Sequence, residues 1–290
     1  MTDGRPSFAC VVLTQGRRPA ELTRALESLL QQRDVDLDIV VVGNGWEPSG
    51  LPGGVRGVAL RQDFGIAGGR NAGAPQARGE LLFFLDDDAS LAADDALSRV
   101  AEKFEDPQLG LLQLHVEPLG GGHRRRDWVP RLRVGDPARS SDVTAVWEGA
   151  VAIPRRVFDL VGQWPAEFRH AHEGIDLAWR VMDAGLRVRY AGDIVALHPA
   201  QEVPMPHPYS LYFGARNRVW LARRHLRLPL GVVYVLGFAL RTLPRLRSLQ
   251  DVREAARGYR DGMHGPCGKR RKLRARTLLR MTLAGRPPII

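Results

Sequence analysis

Three consecutive carboxylates, Asp86, Asp87 and Asp88, close the apolar run Leu81-Leu82-Phe83-Phe84-Leu85. Adjacent acids repel one another unless a cation, hydrogen-bond donors or bulk water intervene. Residues 80–85 read as a buried strand: short, apolar and aromatic, with Gly79 before them. Ligands of open α/β sheets bind at the carboxyl ends of strands. Hard divalent cations prefer carboxylate oxygens and often share them with phosphates, so a metal carrying a nucleoside diphosphate suits this position. The same residues also suit a polar turn before a helix, with Asp88 or Ser90 as its N-cap.

The elements that must hold the triplet alternate. Phe8 to Leu13 reads as a buried strand, Ala20 to Gln32 as a helix, Asp38 to Val42 as a second strand and Val55 to Leu60 as a third. Gly65 to Arg78 begins as a glycine-rich loop and continues as a helix. Asp94 to Phe104 predicts a helix and Leu109 to Val116 a strand. Residues 119–142, rich in Gly and Arg, form a long loop or lid in which His123 to Arg126 suits an anion or plain solvent. Ala145 to Ile153 is apolar, Arg155 to Val161 a short helix, Glu173 to Ala184 a helix stopped by Gly185, and Arg187 to Tyr190 a strand. Continuous apolar strands separated by helices argue an α/β fold with a mostly parallel sheet covered on both faces.

From Tyr209 onward the pattern is helical and basic. The expected partition is a catalytic domain over residues 1–205 and a basic helical extension over 206–290. Net charge over the 290 residues is +10, and no acid follows Asp261. Such a tail suits an anionic partner or simply a solvated helix. Leu228 to Leu240 is 13 uncharged residues between Arg227 and Arg241. That is short of the ~20 needed to span a bilayer, and suits either a buried helix or one lying in a membrane interface. Met1 to Ser7 is polar, without the apolar core of a signal peptide. Two distant cysteines, Cys10 and Cys267, supply no disulfide framework and fit a reducing compartment.

No Walker-type Gly-Lys-Ser/Thr occurs, and the first strand runs into Thr14-Gln15-Gly16, which lacks a dinucleotide fingerprint. Instead Thr14, Val42-Gly43-Asn44-Gly45, Gly65 to Gly73 and Phe84 to Asp88 appear in an order that resembles the family 2 glycosyltransferases. Trp147-Glu148-Gly149-Ala150, Ile153 to Phe158, His172 to Arg180 and His198 extend the resemblance over roughly residues 8–225. It implies the GT-A fold, an α/β/α sandwich with a mostly parallel central sheet, and inverting transfer of a hexosyl group from a nucleotide-diphosphate sugar to an acceptor hydroxyl. Thr14, Asn44, Gly68, Arg70 and Asn71 would then hold the nucleotide sugar. Asp86 would face its ribose or base side, with Asp87 beside it but no metal ligand. Asp88 and His198 would bind Mg²⁺ or Mn²⁺.

The family usually carries a Glu-Asp pair at the acceptor side, its Asp acting as base. Here the pair is Glu173-Gly174, so the resemblance points to Glu173, with Asp176 one helical turn on as helix-start stabiliser or alternative base. Gly43 and Asp63 are further departures, where an acid and an Asn are common. Arg216 and Arg218 suit a diphosphate clamp, solvent or lipid headgroups. The expected partners are a nucleotide-sugar donor and a glycan or lipid-linked acceptor of the cell envelope. Peripheral membrane contact through the C-terminus would place the chain in the cytoplasm, at the inner membrane face; nucleic acid is not expected. A sugar nucleotidyltransferase also uses an acid-bound metal, and a non-enzymatic binder of membranes or anionic polymers would explain the tail but not the triplet.

Overall fold

A computed structural model describes residues 4–200 and 208–288. Strands β1 (Ser7–Thr14) and β2 (Asp36–Asn44) flank helix α1 (Pro19–Leu30), and β3 (Val55–Leu60) follows. Next come α2 (Gly65–Gly73), β4 (Leu81–Asp86), β5 (Ser90–Leu91), α3 (Ala96–Lys103), β6 (Leu109–Leu119) and β7 (Ser141–Asp142). They lead to β8 (Ala150–Pro154), α4 (Arg155–Val161), α5 (Glu173–Asp183) and β9 (Arg187–Pro199). Four helices end the chain: α6 (Pro208–His225), α7 (Leu228–Thr242), α8 (Leu249–His264) and α9 (Ala275–Leu283).

One sheet joins the strands in the order β3-β2-β1-β4-β8-β6-β9-β5, with β7 on β9. The first four are parallel; β8 runs antiparallel to β4 and β6, and β6 is parallel to β9. Side chains alternate along β4 as a two-faced strand requires. Leu81, Phe83 and Leu85 pack with Leu22, Leu26 and Leu29 of α1 and Leu97 of α3. Leu82 and Phe84 face the other layer, with Phe158 of α4 and Trp164. Each such burial contributes about 1.5–3 kcal/mol, which fixes the register and so the height at which Asp86 emerges.

Three expected elements differ. The glycine-rich stretch is helical from Gly65, because Asp63 Oδ1 accepts the Gly65 N–H at 2.7 Å and Asn44 Oδ1 the Phe64 N–H at 2.9 Å. The triplet does not cap a helix: β5 follows it, and α3 begins only at Ala96. The strand expected over 187–190 continues to Pro199, its second half pairing residues 115–119 of β6 after an irregularity at Leu114/His115.

Residues 119–142 are tied down rather than free. Trp128 is buried in a short 3-10 turn, and Arg126 donates to the Val129 carbonyl at 2.9 Å. Arg124 pairs with Glu117 and Arg125 with Asp127, so these arginines serve the loop itself. The buried Gln113 amide donates to the Trp128 carbonyl at 2.7 Å and accepts the Trp147 N–H at 2.7 Å. The second bond takes Trp147 out of strand pairing, which is why β8 starts at Ala150 and not at 145.

The C-terminal helices share a core with the sheet layer: Trp220, Leu221, Tyr234 and Met281 cluster with Leu177 and Trp179 of α5. The expected division at 205/206 lies outside the described residues. Among the described residues, no helix is long and apolar enough to cross a membrane.

Candidate active site

The acidic triplet sits where β4 ends in mid-sheet, and its three carboxyls face different partners. Asp86 accepts from Arg70 of α2 at 2.5 Å. Asp87 accepts from the Thr14 hydroxyl at 2.6 Å and pairs with Arg18 at 2.9 Å. Asp88 pairs with His198 Nε2 at 3.0 Å and with Arg18. Burial pushes Asp87 up to about 6, against the pull of Thr14 and Arg18. Burial acts the same way on Asp88, yet its bond to His198 and the Arg18 charge hold it below the usual carboxylate range.

Asp86, Asp88 and His198 each offer a ligand atom within 4.8 Å of the other two. Two carboxylate oxygens and an imidazole nitrogen suit Mg²⁺ or Mn²⁺, both of which leave positions for phosphate oxygens. His198 is 6% exposed and lies on β9, not on a surface turn. The rings of Trp147 and Trp128 stand edgewise to it at 5.2 and 5.4 Å. Arg70 is fully buried and stacked 5.3 Å from Trp164; its Nε and Nη1 have no partner among the described residues. An anion beside it would complete that pairing.

Other expected residues are engaged by the scaffold. Asn44 braces the turn before α2, donating to Asp63 Oδ1 at 2.7 Å. Asn71 exchanges two hydrogen bonds with the Trp164 backbone, at 2.9 and 3.0 Å. Gly68 lies on α2, where a Cβ would meet only Phe64. Asp176 is fully buried, bound to Arg180 and His225 at 2.7 Å each and to Arg224 at 3.3 Å. Arg216 and Arg218 are buried, not solvated. Arg216 stacks on Trp220 at 4.1 Å and donates to the Phe168 carbonyl, while Arg218 donates to the Tyr234 hydroxyl at 2.8 Å.

Glu173 opens α5 and is 2% exposed, with Oε1 unpartnered. Burial, reinforced by the nearby Glu148, pushes it up to about 8. Two site residues were not singled out from the sequence. Arg18 lies in the turn after β1, and its reach to the triplet spans 70 positions. Glu148 was part of a matching segment with no role of its own; its bond to Gly174 spans 26. No local pattern carries either contact.

A strand end where Asp86, Asp88 and His198 converge, beside a buried arginine and two carboxyls, has the chemistry to take a metal and a phosphate-bearing group. The family model of glycosyl transferase family 2 matches residues 10–159. The chain belongs to that family. No curated protein matches this glycosyltransferase. Solved structures similar to it have the GT-A fold. One is GalNAc-T7 with UDP, GalNAc and Mn²⁺, at TM-score 0.61 and 15% identity over 91% of this chain and 57% of that one. Another is S. aureus TarS 1-349 in complex with UDP-GlcNAc, at TM-score 0.60 and 16% identity over 94% and 83%. A third is the mannosyltransferase PcManGT from Pyrobaculum calidifontis in complex with GDP-Man and Mn²⁺, at 0.58 and 18% over 98% and 85%. At these identities the likeness is one of fold.

Proposed function

We propose that this glycosyltransferase is metal-dependent and inverting, and moves a sugar from a nucleotide-diphosphate donor to an acceptor hydroxyl. The observation that carries the reading is the convergence of Asp86, Asp88 and His198 within 4.8 Å at the end of β4. These three residues would hold Mg²⁺ or Mn²⁺, which when bound neutralises charge on a leaving diphosphate. Arg18, half-exposed and already on Asp87 and Asp88, can turn toward a phosphate. Arg70, with two nitrogens unpaired, holds Asp86 and adds a buried positive charge beside it. A buried carboxylate on the acceptor side removes the hydroxyl proton, so no covalent sugar–enzyme intermediate is needed. The solved structures of similar fold that hold UDP or GDP-Man with Mn²⁺ support the same donor class here.

The acceptor is a glycan or lipid-linked molecule of the cell envelope, met at the inner face of the membrane. The support is α7, whose Leu228, Val232, Leu236 and Leu240 are all exposed and recur every fourth residue along one face. Exposed Arg227, Arg241, Arg245 and Arg247 border that face, and no acid occurs from 203 to 250. Apolar stripes with basic borders suit anionic lipid.

UDP-, GDP- and dTDP-sugars, each tested with and without Mn²⁺, should include one that raises the melting temperature only with the metal. A ligand at a hundredfold over its Kd adds about 2.7 kcal/mol. Asp88→Ala should lose the Mn²⁺-dependent part of the shift; a full shift in that variant would refute the metal assignment.

A further inference from the structure

Gly174 stands where the family usually has an acid, but the volume a side chain would fill there is taken. A Cβ on Gly174 would lie 2.3 Å from the Val146 carbonyl oxygen and 2.7 Å from Glu148 Oε1. Backbone at that distance excludes any side chain at 174. The segment that excludes it brings a carboxylate of its own, for Glu148 accepts the Gly174 N–H at 2.6 Å. Resting on the glycosyl-transfer reading above, we infer that Glu148 is the acceptor-side base of this enzyme, standing in for the acid absent at 174.

Placement supports it. The next residue, Gly149, accepts the Asp86 N–H at 2.9 Å, and the preceding Trp147 stands against His198. Glu148 therefore lies between the metal-ligand set and the start of α5, where donor and acceptor must meet. Access supports it as well. Glu173 is 2% exposed and Asp176 fully buried, whereas Glu148 keeps part of its surface open. Asp176 is also committed to Arg180, Arg224 and His225, which engage both of its oxygens.

The two glutamates divide one proton. Burial raises both, and Glu173, pushed to about 8, holds a proton at neutral pH. Glu148 Oε1 accepts the Gly174 N–H in the first turn of α5, a site that favours negative charge, whereas Glu173 Oε1 has no partner among the described residues. Arg70 favours the ionised form of either carboxyl, and Asp86 opposes it. So Glu148 is the ionised member, and Glu173 the protonated neighbour that keeps it a competent base.

In the step itself, a Glu148 carboxylate oxygen takes the proton of the acceptor hydroxyl. The freed oxygen pair bonds to the anomeric carbon as the bond from that carbon to the diphosphate oxygen breaks. The bonding pair leaves with the nucleoside diphosphate, and Glu148, now a carboxylic acid, returns its proton to water.

Glu148→Gln keeps the side-chain volume and an oxygen to accept from Gly174, so it spares the helix start and removes only the base. The probes are UDP-GlcNAc and GDP-mannose with Mn²⁺; binding is read by thermal shift and chemistry by nucleoside diphosphate release, with water as the acceptor. Glu148→Gln should bind like wild type but release product about 10²–10⁴-fold more slowly. Glu173→Gln should slow release less than Glu148→Gln does, and sodium formate should restore part of the release in Glu148→Ala. Release by Glu148→Gln within about threefold of wild type, or a loss confined to Glu173→Gln, overturns the assignment. Wild type that binds no nucleotide at all sinks the glycosyl-transfer reading and this inference with it.

Discussion

Asp176 shows how far a single carboxylate can be read without its surroundings. From the sequence it stands one helical turn after Glu173, and that spacing admits either a chemical or a structural role. Its partners decide what it does in the fold, and two of them, Arg224 and His225, come from 48 and 49 positions away. Burial alone would raise the carboxyl; the Arg180, His225 and Arg224 charges overcome that and hold it well below the usual range. A depressed pKa means stability that is present above the unfolded value of about 3.9 and is lost as pH falls through the folded one. Asp176→Asn leaves Arg180 and Arg224 without their counter-charge, so urea unfolding at pH 7 should show a loss of about 3–5 kcal/mol. The gap between variant and wild type should narrow below about pH 4. A loss under about 1 kcal/mol at pH 7 would mean that the cluster is not a structural unit.

At the scale of elements, the strands were legible where they are buried on both faces. The runs in β1, β2 and β4 contain little but apolar residues, and the structure puts strands there. The glycines of α2 misled because they read as a loop. They serve close packing instead: a Cβ on Gly69 would meet a Leu13 methyl at 2.3 Å. The second half of β9 was hidden because its pairing with β6 follows an irregularity. The segment leading into α5 had no readable signal at all. Arg169, Ala171 and His172 all adopt left-handed backbone, with φ of 61°, 68° and 71°. Such residues persist only when something else holds them. Here it is α6: Asn217 donates to the carbonyls of Phe168, His170 and Ala171 at 3.1, 2.7 and 2.9 Å. Asn217→Ala should cost about 1–3 kcal/mol by leaving the His170 and Ala171 carbonyls without that donor, while Arg216 still serves the Phe168 carbonyl. Nucleotide diphosphate release should fall with it, while Mn²⁺-nucleotide binding, which rests on β4 and β9, should hold. Equal losses of both would place the damage in the whole fold and not in the start of α5.

At the scale of the molecule, charge and apolar surface are segregated. Carboxylates meet at the end of β4 and the start of α5, and exposed Leu228, Leu236 and Leu240 lie along α7, whose flanks carry exposed arginines. Phe238 of the same helix stands edgewise to His172 at 5.9 Å, one residue before Glu173. A membrane lying on α7 would thus bring lipid-linked acceptors close to the acceptor-side carboxyls. The double variant Leu236→Glu/Leu240→Glu should cosediment with phosphatidylglycerol vesicles at least about tenfold more weakly than wild type. High salt should weaken wild-type binding too, because about 1 kcal/mol per arginine comes from the anionic surface. Equal binding of wild type and variant would remove α7 as the docking face. The uncharged run and its basic flanks were visible in the sequence; that α7 presents an exposed face and also sets Phe238 against His172 was not, since that depends on how α7 packs.

The pairing of Asp183 with Thr277 sets a timetable. The two meet at 2.7 Å across 94 positions of chain, and Arg274 joins them at 3.0 Å through its backbone N–H. At about 5–20 residues per second, roughly 5–20 seconds of synthesis separate the two halves of that contact. During that interval the strands that carry the acidic triplet are complete, while α5 waits for the last helices of the chain to close over its far end. The strand end that bears the triplet is thus made well before α5 gains its partner in α9.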